Sequence, residues 1–248
     1  LQLIQIQADV YHAHDDNALA ACYIAARWHQ KPLIFDAHEL PLNELVDTNR
    51  RWILRLLTSL LAFMLSYCAG IITVSAPIAE EICSRYHVPK VALIRNIPRY
   101  RVVPKRNQLQ RYLGLSSKVR IALYQGNLQS DRGLDTIVHA ALFLERDIVI
   151  VMMGKGVGTT QSQLESLIRR EGVADRVKII PPVPYSELLN WTASADIGLI
   201  VYPSGQAGAA SLNVQMCLPN KLFEYLMAGL PVLSSPLPAV VEILNAFD

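Results

Sequence analysis

The sequence predicts an α/β protein made of two units, each with a parallel β-sheet covered by helices. Short apolar runs rich in β-branched residues alternate with helical patterns along the whole chain, which is typical of buried parallel strands. The 248 residues suffice for one large or two small domains. Hydrophobic residues make up 52% and charged residues 18%, so a disordered chain is excluded.

Nine apolar runs predict strands, and helical periodicity fills most of the intervals between them. The strands are predicted at residues 8–12, 32–36, 71–74, 91–95, 119–124, 148–153, 177–180, 197–202 and 231–234. The helices are predicted at residues 17–29, 48–67, 79–86, 134–144, 160–170, 186–193 and 221–227, and residues 238–248 begin one more.

An uncharged stretch at residues 56–79 is long enough to cross a bilayer. Its pattern instead predicts a helix that ends before Gly70, a short strand, and a new helix capped by Ser75. We therefore expect no membrane span, and at most a helix that touches a membrane surface.

Residues 97–118 lack clear periodicity and are interpreted as a basic linker between residues 1–96 and residues 119–248. The segment from Arg95 to Arg120 carries eight basic residues and no acidic one, which suits a phosphate ligand, an anionic membrane surface or a solvated linker. Few aromatic residues interrupt it, so nucleic acid is not an expected partner.

The four cysteines form no C-x-x-C pair and indicate reduced thiols, as in a cytoplasmic protein. No charged segment and cleavage site precede Leu1, which argues against a signal peptide. We expect a fragment that is cytoplasmic, with peripheral contact at the inner face of the membrane as a further expectation.

Ligands in this architecture bind beyond the carboxyl ends of the strands. The loop from Gly126 to Gly133 follows the first strand of the second unit and contains Arg132. A small-residue loop later ends at Asn220 and Lys221, where a helix begins. Free backbone amides and two cations suit a diphosphate, although neither loop has the spacing of a P-loop or a G-x-G-x-x-G motif.

A second group of polar residues follows the first two predicted strands, and its chemistry fits metal ligands. A metal-dependent hydrolase is therefore an alternative function. Its candidate ligands are His12, His14, Asp15, His38 and Glu39.

The order and spacing of several blocks resemble the retaining, nucleotide-sugar-dependent glycosyltransferases of group 1, of the family 4 type. The most specific block is Pro-Asn-Lys-Leu-Phe-Glu-Tyr at residues 219–225, followed by Ala-Gly-Leu-Pro-Val at residues 228–232. Weaker blocks lie at residues 9–14, 36–40, 72–75, 95–98, 126–133 and 195–199.

The resemblance implies a GT-B fold, with two facing Rossmann-like domains that are both incomplete in this chain. Residues 1–96 would be the second half of the N-terminal, acceptor-side domain. Residues 119–248 would be the C-terminal donor domain, truncated at its end. The implied reaction moves a sugar from a UDP- or GDP-linked donor to a glycan, lipid-linked or other hydroxyl acceptor, with retention and with neither metal nor cofactor.

The resemblance also assigns roles to individual residues. His14 would face the donor sugar, and Glu224 would contact the nucleotide ribose; these two are the candidate catalytic residues. The candidate nucleotide-binding residues are Gly126, Arg132, Gly133, Asn220, Lys221 and Glu224.

Two residues depart from the family pattern. Met216 stands where the first glutamate of an E-x7-E element is expected, and Asn127 stands where an arginine is usual. Methionine cannot hydrogen-bond a sugar hydroxyl, so a non-catalytic nucleotide-sugar-binding module is a third alternative.

Overall fold

The computed structural model describes residues 2–42, 51–203 and 212–246, except for the side chain of Arg51. In these residues the strands are β1 (Tyr11–His14), β2 (Leu33–Ala37), β3 (Gly70–Thr73), β4 (Ala92–Leu93), β5 (Arg120–Gln125), β6 (Ile148–Met153), β7 (Val177–Ile180), β8 (Ile197–Ile200) and β9 (Val232–Ser234). The α-helices are α1 (Asp15–His29), α2 (Arg51–Ser66), α3 (Ala76–Tyr86), α4 (Gln108–Leu113), α5 (Leu134–Ala140), α6 (Thr160–Arg170), α7 (Tyr185–Thr192), α8 (Leu212–Met216), α9 (Lys221–Met227) and α10 (Pro238–Asn245).

The chain divides into two compact units whose boundaries are discontinuous in sequence. The first unit contains residues 1–96, 211–218 and 237–248, and the second contains residues 97–210 and 219–236. The sequence-based division instead kept all residues after 118 in one domain. The contacts place α8 and α10 with the first unit.

The first unit has a four-stranded parallel sheet in the order β1-β2-β3-β4. Along β1 the side chains alternate, so Tyr11 and Ala13 are buried while His12 and His14 are exposed on the other face. The first strand was predicted at residues 8–12, so His14 is the last residue of the strand instead of following it. Ser75 caps α3 as predicted, because its hydroxyl oxygen accepts from the Ile78 amide.

The second unit has a five-stranded parallel sheet in the order β7-β6-β5-β8-β9. Its central strand β5 is buried from Ile121 to Gln125. The strand order changes direction on either side of β5, and loops at such a point usually form ligand sites. Two parallel sheets with helices confirm the predicted α/β class.

The predicted linker at residues 97–118 contains a helix that the sequence pattern did not indicate. In α4, Leu109 and Gln110 are buried, and Gly114 ends the helix in a left-handed conformation. Lys105 binds the Asp196 carboxylate at 2.9 Å. Part of the basic segment is therefore packed against the second unit and is not a solvated linker.

A membrane-crossing helix would need to be longer and more apolar than any helix formed by the described residues.

Candidate functional site

Three histidines of the first unit surround one carboxylate at the carboxyl ends of β1 and β2. Asp36 Oδ2 lies 3.3 Å from His12 Nε2, 3.6 Å from His14 Nδ1 and 3.9 Å from His38 Nε2. His14 also stacks between the other two rings, with centroid distances of 4.4 Å to His12 and 5.4 Å to His38. The parallel pairing of His14 with Asp36 explains this arrangement, because both side chains then leave the same face of the sheet.

This cluster differs from the ligand set expected for a metal-dependent hydrolase. His12, His14 and Asp36 each place one ligand atom within 4.8 Å of the others, so they could hold a metal ion. Asp15 instead accepts the His38 amide at 2.9 Å, and Glu39 accepts from the Asn213 side chain at 2.5 Å. Neither carboxylate belongs to the candidate metal group, whereas Asp36 does.

The glycine loop of the second unit begins where β5 ends, and its glycines are required by a positive φ or by close backbone packing. Gly126 has a φ of 128°, which is unfavourable for other residues. A Cβ at Gly154, which follows β6, would lie 1.8 Å from the Gly126 carbonyl oxygen. Gly133 has a φ of 61° and precedes α5. The glycines thus set the path of the loop.

Arg132 is held in place by residues of the same unit. Its Nη1 donates to the Tyr202 hydroxyl at 2.7 Å, and Nε and Nη2 both donate to Gln129 Oε1 at 3.2 Å. The guanidinium carbon also lies 5.1 Å from the centre of the Tyr202 ring. The Tyr202 backbone is fixed in turn by Ser235, whose hydroxyl bonds both its amide and its carbonyl. A guanidinium oriented in this way loses little entropy on binding an anion.

Lys221 lies close to the same loop. Its Nζ is 3.8 Å from the centre of the Tyr124 ring and would be 3.4 Å from a Cβ at Gly126. Burial raises the pKa of the Tyr124 phenol, and the positive charge of Arg132 opposes that rise. Lys221 contacts the Tyr124 ring and the Arg132 charge acts on its phenol, so the structure brings Gly126, Arg132 and Lys221 near the end of β5.

Glu224 faces the end of the same strand from α9. Its Oε2 accepts a hydrogen bond from the side-chain amide of Gln125, which is buried and whose Oε1 lies 2.8 Å from the Thr192 hydroxyl. Burial raises the pKa of the Glu224 carboxyl, while the Gln125 hydrogen bond and the Lys221 charge oppose that rise. The carboxylate is thus oriented by a polar chain that runs into the core.

Tyr225 fixes α9 against the sheet. Its buried hydroxyl accepts a hydrogen bond from the backbone amide of Gln125 at 3.1 Å. The same hydroxyl lies 2.9 Å from the Leu123 carbonyl and 3.3 Å from the Leu199 carbonyl. Gly198 makes room for the ring, because a Cβ there would lie 2.4 Å from two ring carbons. The hydroxyl fills the gap where β5 and β8 separate, and this contact sets the position of Glu224.

The start of α9 differs from the expected free helix terminus. The amides of Leu222 and Phe223 already donate to the carbonyls of Pro219 and Asn220, and the Glu224 amide bonds Asn220 as well. Asn220 is exposed and its side chain makes no capping hydrogen bond. The Lys221 side chain is therefore the main positive group at this turn.

The structure shows what the two residues that depart from the family pattern, Met216 and Asn127, contact. Met216 packs against the core of the first unit, and its carbonyl accepts from the Ser75 hydroxyl at 2.7 Å. An apolar side chain suits that packing better than a carboxylate would. The carbonyl of Asn127 accepts from the Tyr124 hydroxyl at 2.8 Å, so Asn127 serves the loop through its backbone.

Several residues of these sites were not singled out from the sequence. They are Tyr124, Gln125 and Gln129 at the end of β5, Thr192 of α7, Tyr202 after β8, and Asn213 of α8. A polar residue such as Gln125 at the end of a buried strand was an available signal, whereas the contacts of Tyr202 and Asn213 depend on distant parts of the chain.

The two parallel-sheet units define the class of the protein, a GT-B fold built from two Rossmann-like domains. The family model of the group 1 glycosyl transferases matches residues 119–246, and that of glycosyltransferase family 4 matches residues 1–98. The first match alone covers slightly more than half of the chain. The chain belongs to the group 1 glycosyltransferases.

Similar proteins include the D-inositol 3-phosphate glycosyltransferases of two bacteria. The protein of Thermobispora bispora is 29% identical over 154 residues, which cover 56% of this chain and 36% of that protein. The protein of Xylanimonas cellulosilytica is 31% identical over 114 residues, which cover 45% of this chain and 27% of that protein. The matched regions thus span about a third of these relatives or less.

Solved structures with the same fold are more distant in sequence. HepE of Anabaena, crystallised with UDP, has a TM-score of 0.75 at 16% identity, over 98% of this chain and 64% of that one. Sucrose-phosphate synthase of Thermosynechococcus elongatus has a TM-score of 0.69 at 16% identity, over 92% of this chain and 56% of that one. Both show the fold, which confirms the GT-B prediction.

Proposed function

We propose that the protein transfers a sugar from a nucleoside diphosphate sugar to a hydroxyl acceptor, with retention of configuration and without a metal ion. The observation that carries the proposal is the pair of cations, Arg132 and Lys221, beside the glycine loop at the end of β5. Of the other residues that the family resemblance implicates, Gly126 and Gly133 lie on the same loop, Asn220 directly precedes α9 and Glu224 lies on α9.

The two cations would hold the diphosphate. Arg132 is already oriented by Gln129 and Tyr202, so it offers planar N–H donors in a fixed direction. Lys221 supplies a second charge over the Tyr124 ring. Cations placed where negative charge develops stabilise a departing diphosphate, and in this role they substitute for a metal.

Glu224 would accept hydrogen bonds from the ribose hydroxyls. An ionised carboxylate has about four acceptor positions, of which Gln125 uses one. The bond to Gln125 and the anchoring of Tyr225 keep the carboxylate in one orientation. Its role is to position the nucleotide relative to the two cations.

The family resemblance assigns to His14 the contact with the donor sugar. The bond between the sugar carbon and the diphosphate oxygen breaks, and its electron pair leaves with the diphosphate. The acceptor oxygen bonds the same carbon on the same face, and its proton passes to the departing phosphate. The His38 ring, whose Nε2 lies 3.1 Å from His14 Nδ1, and the Asp36 carboxylate at 3.6 Å would keep the imidazole in position for this step.

Similar proteins support the donor class. The HepE structures contain UDP in one case and UDP and glucose in another, and the D-inositol 3-phosphate glycosyltransferases are named for sugar transfer to a phosphorylated polyol. A glycan, a lipid-linked hydroxyl or another hydroxyl acceptor fits the proposal equally.

The test is calorimetric titration of the protein with UDP and GDP. Arg132→Ala removes a charge-assisted contact and is expected to weaken binding of the preferred diphosphate about ten- to a hundredfold, from roughly 1.5–3 kcal/mol. Glu224→Gln should weaken binding less and lower turnover, because a neutral amide still accepts hydrogen bonds.

Arg120→Ala is the matched control, because Arg120 lies at the opposite end of β5 and pairs with Asp147 and Glu145. It should leave nucleotide affinity unchanged. Wild-type affinity in Arg132→Ala would show that this loop is not the phosphate site. Binding without sugar transfer would favour the non-catalytic module.

The metal-dependent hydrolase remains a second candidate because of the group formed by His12, His14 and Asp36. The two functions differ in their response to a chelator. The transferase should keep its activity after treatment with a chelator, whereas the hydrolase should lose activity and regain it with added zinc. Elemental analysis of the purified protein gives an independent comparison.

A further inference from the structure

The helix α2 exposes a row of large apolar side chains to solvent. The row consists of Trp52, Leu56, Leu60, Phe63 and, one residue after the helix, Tyr67, and is called the α2 stripe below. Its members recur every three or four residues and are 45–68% exposed. The opposite face of α2, with Leu61 and Leu65, is buried in the core. A helix that faces water normally carries polar residues on its outer side.

The serine hydroxyls beside the stripe form hydrogen bonds within the helix and do not need water as a partner. Ser59 donates its hydroxyl to the Arg55 carbonyl at 3.0 Å, and Ser66 donates to the Phe63 carbonyl at 2.7 Å. Both hydroxyls are therefore satisfied within the helix. Trp52 and Tyr67 lie at the two ends of the stripe, and these residue types favour the interface between membrane and water.

Side chains of α1 widen the apolar surface. The Tyr23 ring lies 6.1 Å from Phe63 and 5.7 Å from Tyr67, both in edge-on contact. The neighbouring residues Ile24 and Trp28 are also exposed. The surface is therefore a patch formed by two packed helices, which is the kind of surface that binds a partner or a membrane.

Basic residues lie near both ends of the stripe, whereas Asp15, Asp16 and Glu39 line a cavity beside Leu60. In the sequence no acidic residue occurs from Thr48 to Ala79, and Arg55 lies one turn into α2. Arg27 of α1 lies over the Tyr67 ring at 4.9 Å. An apolar surface with basic residues complements an anionic lipid surface, where each nearby cation adds to binding.

The dimensions fit a helix that lies in the plane of the interface. The stripe spans about 22 Å at roughly 1.5 Å per residue. The helix does not qualify as a membrane span, and one of its faces is already used by the protein core. Only the outer face is left for lipid.

We propose that the α2 stripe docks the first unit onto an anionic phospholipid bilayer, with Trp52, Leu56 and Leu60 inserted among the headgroups and Arg55 against the phosphates. This proposal goes beyond sugar transfer and does not depend on the nucleotide site. It also differs from docking through the basic segment at residues 95–120, part of which is paired within the second unit.

The first experiment is sedimentation of the protein with vesicles of phosphatidylcholine alone or mixed with phosphatidylglycerol. The wild type should bind the mixed vesicles more strongly, and less so at high salt. The double variant Trp52→Ser, Leu56→Ser should partition at least about tenfold less, because two exposed apolar side chains are lost. Circular dichroism and UDP titration check that the variant is folded.

Phe143→Ser is the matched control, because Phe143 is 87% exposed in the second unit. It should bind vesicles like the wild type. Unchanged sedimentation of the double variant would overturn the proposal. Loss of binding only when Arg99, Arg101 and Arg106 are changed to Gln would also overturn it and would assign docking to the basic segment.

The second experiment measures quenching of tryptophan fluorescence by vesicles with brominated acyl chains. Trp52→Phe keeps the apolar area, so this variant should still bind the vesicles while losing part of the quenching seen in the wild type. Equal quenching in the bound wild type and the bound variant would show that Trp52 does not enter the bilayer, and the proposal would be wrong.

Discussion

Glu224 combines a charge with partial burial. The side chain keeps one hydrogen bond from Gln125 and lies near the Lys221 charge, yet burial dominates and raises the pKa of its carboxyl. Such a raised pKa is common at functional sites, where a group is held for binding at some cost in stability. The consequence can be measured in the pH dependence of folding.

Glu224→Gln is expected to change how stability depends on pH. In the wild type the folded state keeps the Glu224 proton over a pH range in which the unfolded chain has lost it. This contribution to stability is therefore present at low pH and falls as pH rises through the raised pKa. Glutamine does not ionise, so the variant does not lose stability in this way. The free energy of unfolding of the variant minus that of the wild type should therefore increase as the pH rises from about 4 to neutral.

Urea unfolding at several pH values tests this expectation, with the exposed residue Glu80 changed to Gln as the control. A stability difference between Glu224→Gln and wild type that stays constant with pH would contradict it.

The residues that the sequence could predict are those whose chemistry shows in local pattern. Arg132 and Lys221 are cations next to a glycine loop and a helix start, so their positions after predicted strands indicated that they lie at one end of the sheet. Gln129 orients Arg132 from three residues away, whereas Tyr202, which Ser235 holds in place, contacts it from a loop distant in sequence. Pairing of that kind depends on the folded arrangement, and no local periodicity encodes it.

Among the secondary-structure elements, β8 and α9 depend on each other. The Tyr225 ring lies against Gly198, and its hydroxyl bonds the backbone of both β5 and β8. The strands β5 and β8 pair over only Ala122–Ile197 and Leu123–Gly198, so the hydroxyl takes over where their own hydrogen bonds stop.

Gly198→Ala should therefore destabilise the second unit. The added methyl would overlap a ring that its hydrogen bonds prevent from moving, and overpacking of this kind costs about 1–3 kcal/mol. Displacement of α9 should also weaken UDP binding, since Lys221 and Glu224 belong to that helix.

Chemical denaturation and calorimetry measure the two effects. Gly70→Ala serves as the control, because a Cβ there meets nothing within 4 Å. If Gly198→Ala has the stability of Gly70→Ala, the ring is not held as described.

Hydrophobic periodicity predicted most of the helices and strands, because long apolar or amphipathic runs outweigh other local preferences. The helices α6 and α9 and the strands β6 and β7 have the predicted bounds. The helix α4 was missed because its six residues lie among basic residues, and its burial comes from packing within the second unit. The first strand was predicted to begin three residues early, because the apolar residues Ala8 and Val10 directly precede the residues that pair.

The whole chain passes between its two units four times, at residues 96, 210, 218 and 236. The last segment returns to the first unit, where Ala239, Val240 and Ile243 of α10 are buried. Glu242 of the same helix binds Arg95 at 2.7 Å. Residues near the end of the chain therefore pack into the first unit, although most of that unit lies before residue 97.

Removal of residues 237–248 should loosen the first unit while the second unit stays folded. Burial of a valine and an isoleucine side chain is worth about 1.5–3 kcal/mol each, so the expected loss is several kcal/mol. Hydrogen exchange followed by mass spectrometry should show lower protection in α3 and β3, with β5 and β6 unchanged.

Glu242→Gln removes only the ion pair, and this variant should keep wild-type protection, because a partly exposed pair adds little. Full protection of α3 in the shortened chain would mean that α10 is dispensable for the first unit.

The return of α10 to the first unit also affects synthesis on the ribosome and the construction of chimeras. Residue 96 emerges well before residue 248, and at about 5–20 residues per second the interval is on the order of ten seconds. During that time the first unit lacks its closing helix and exposes the surface that α10 later covers. A chimera that exchanges the second unit must likewise keep residues 211–218 and 237–248 from the parent of the first unit, so one crossover point cannot suffice.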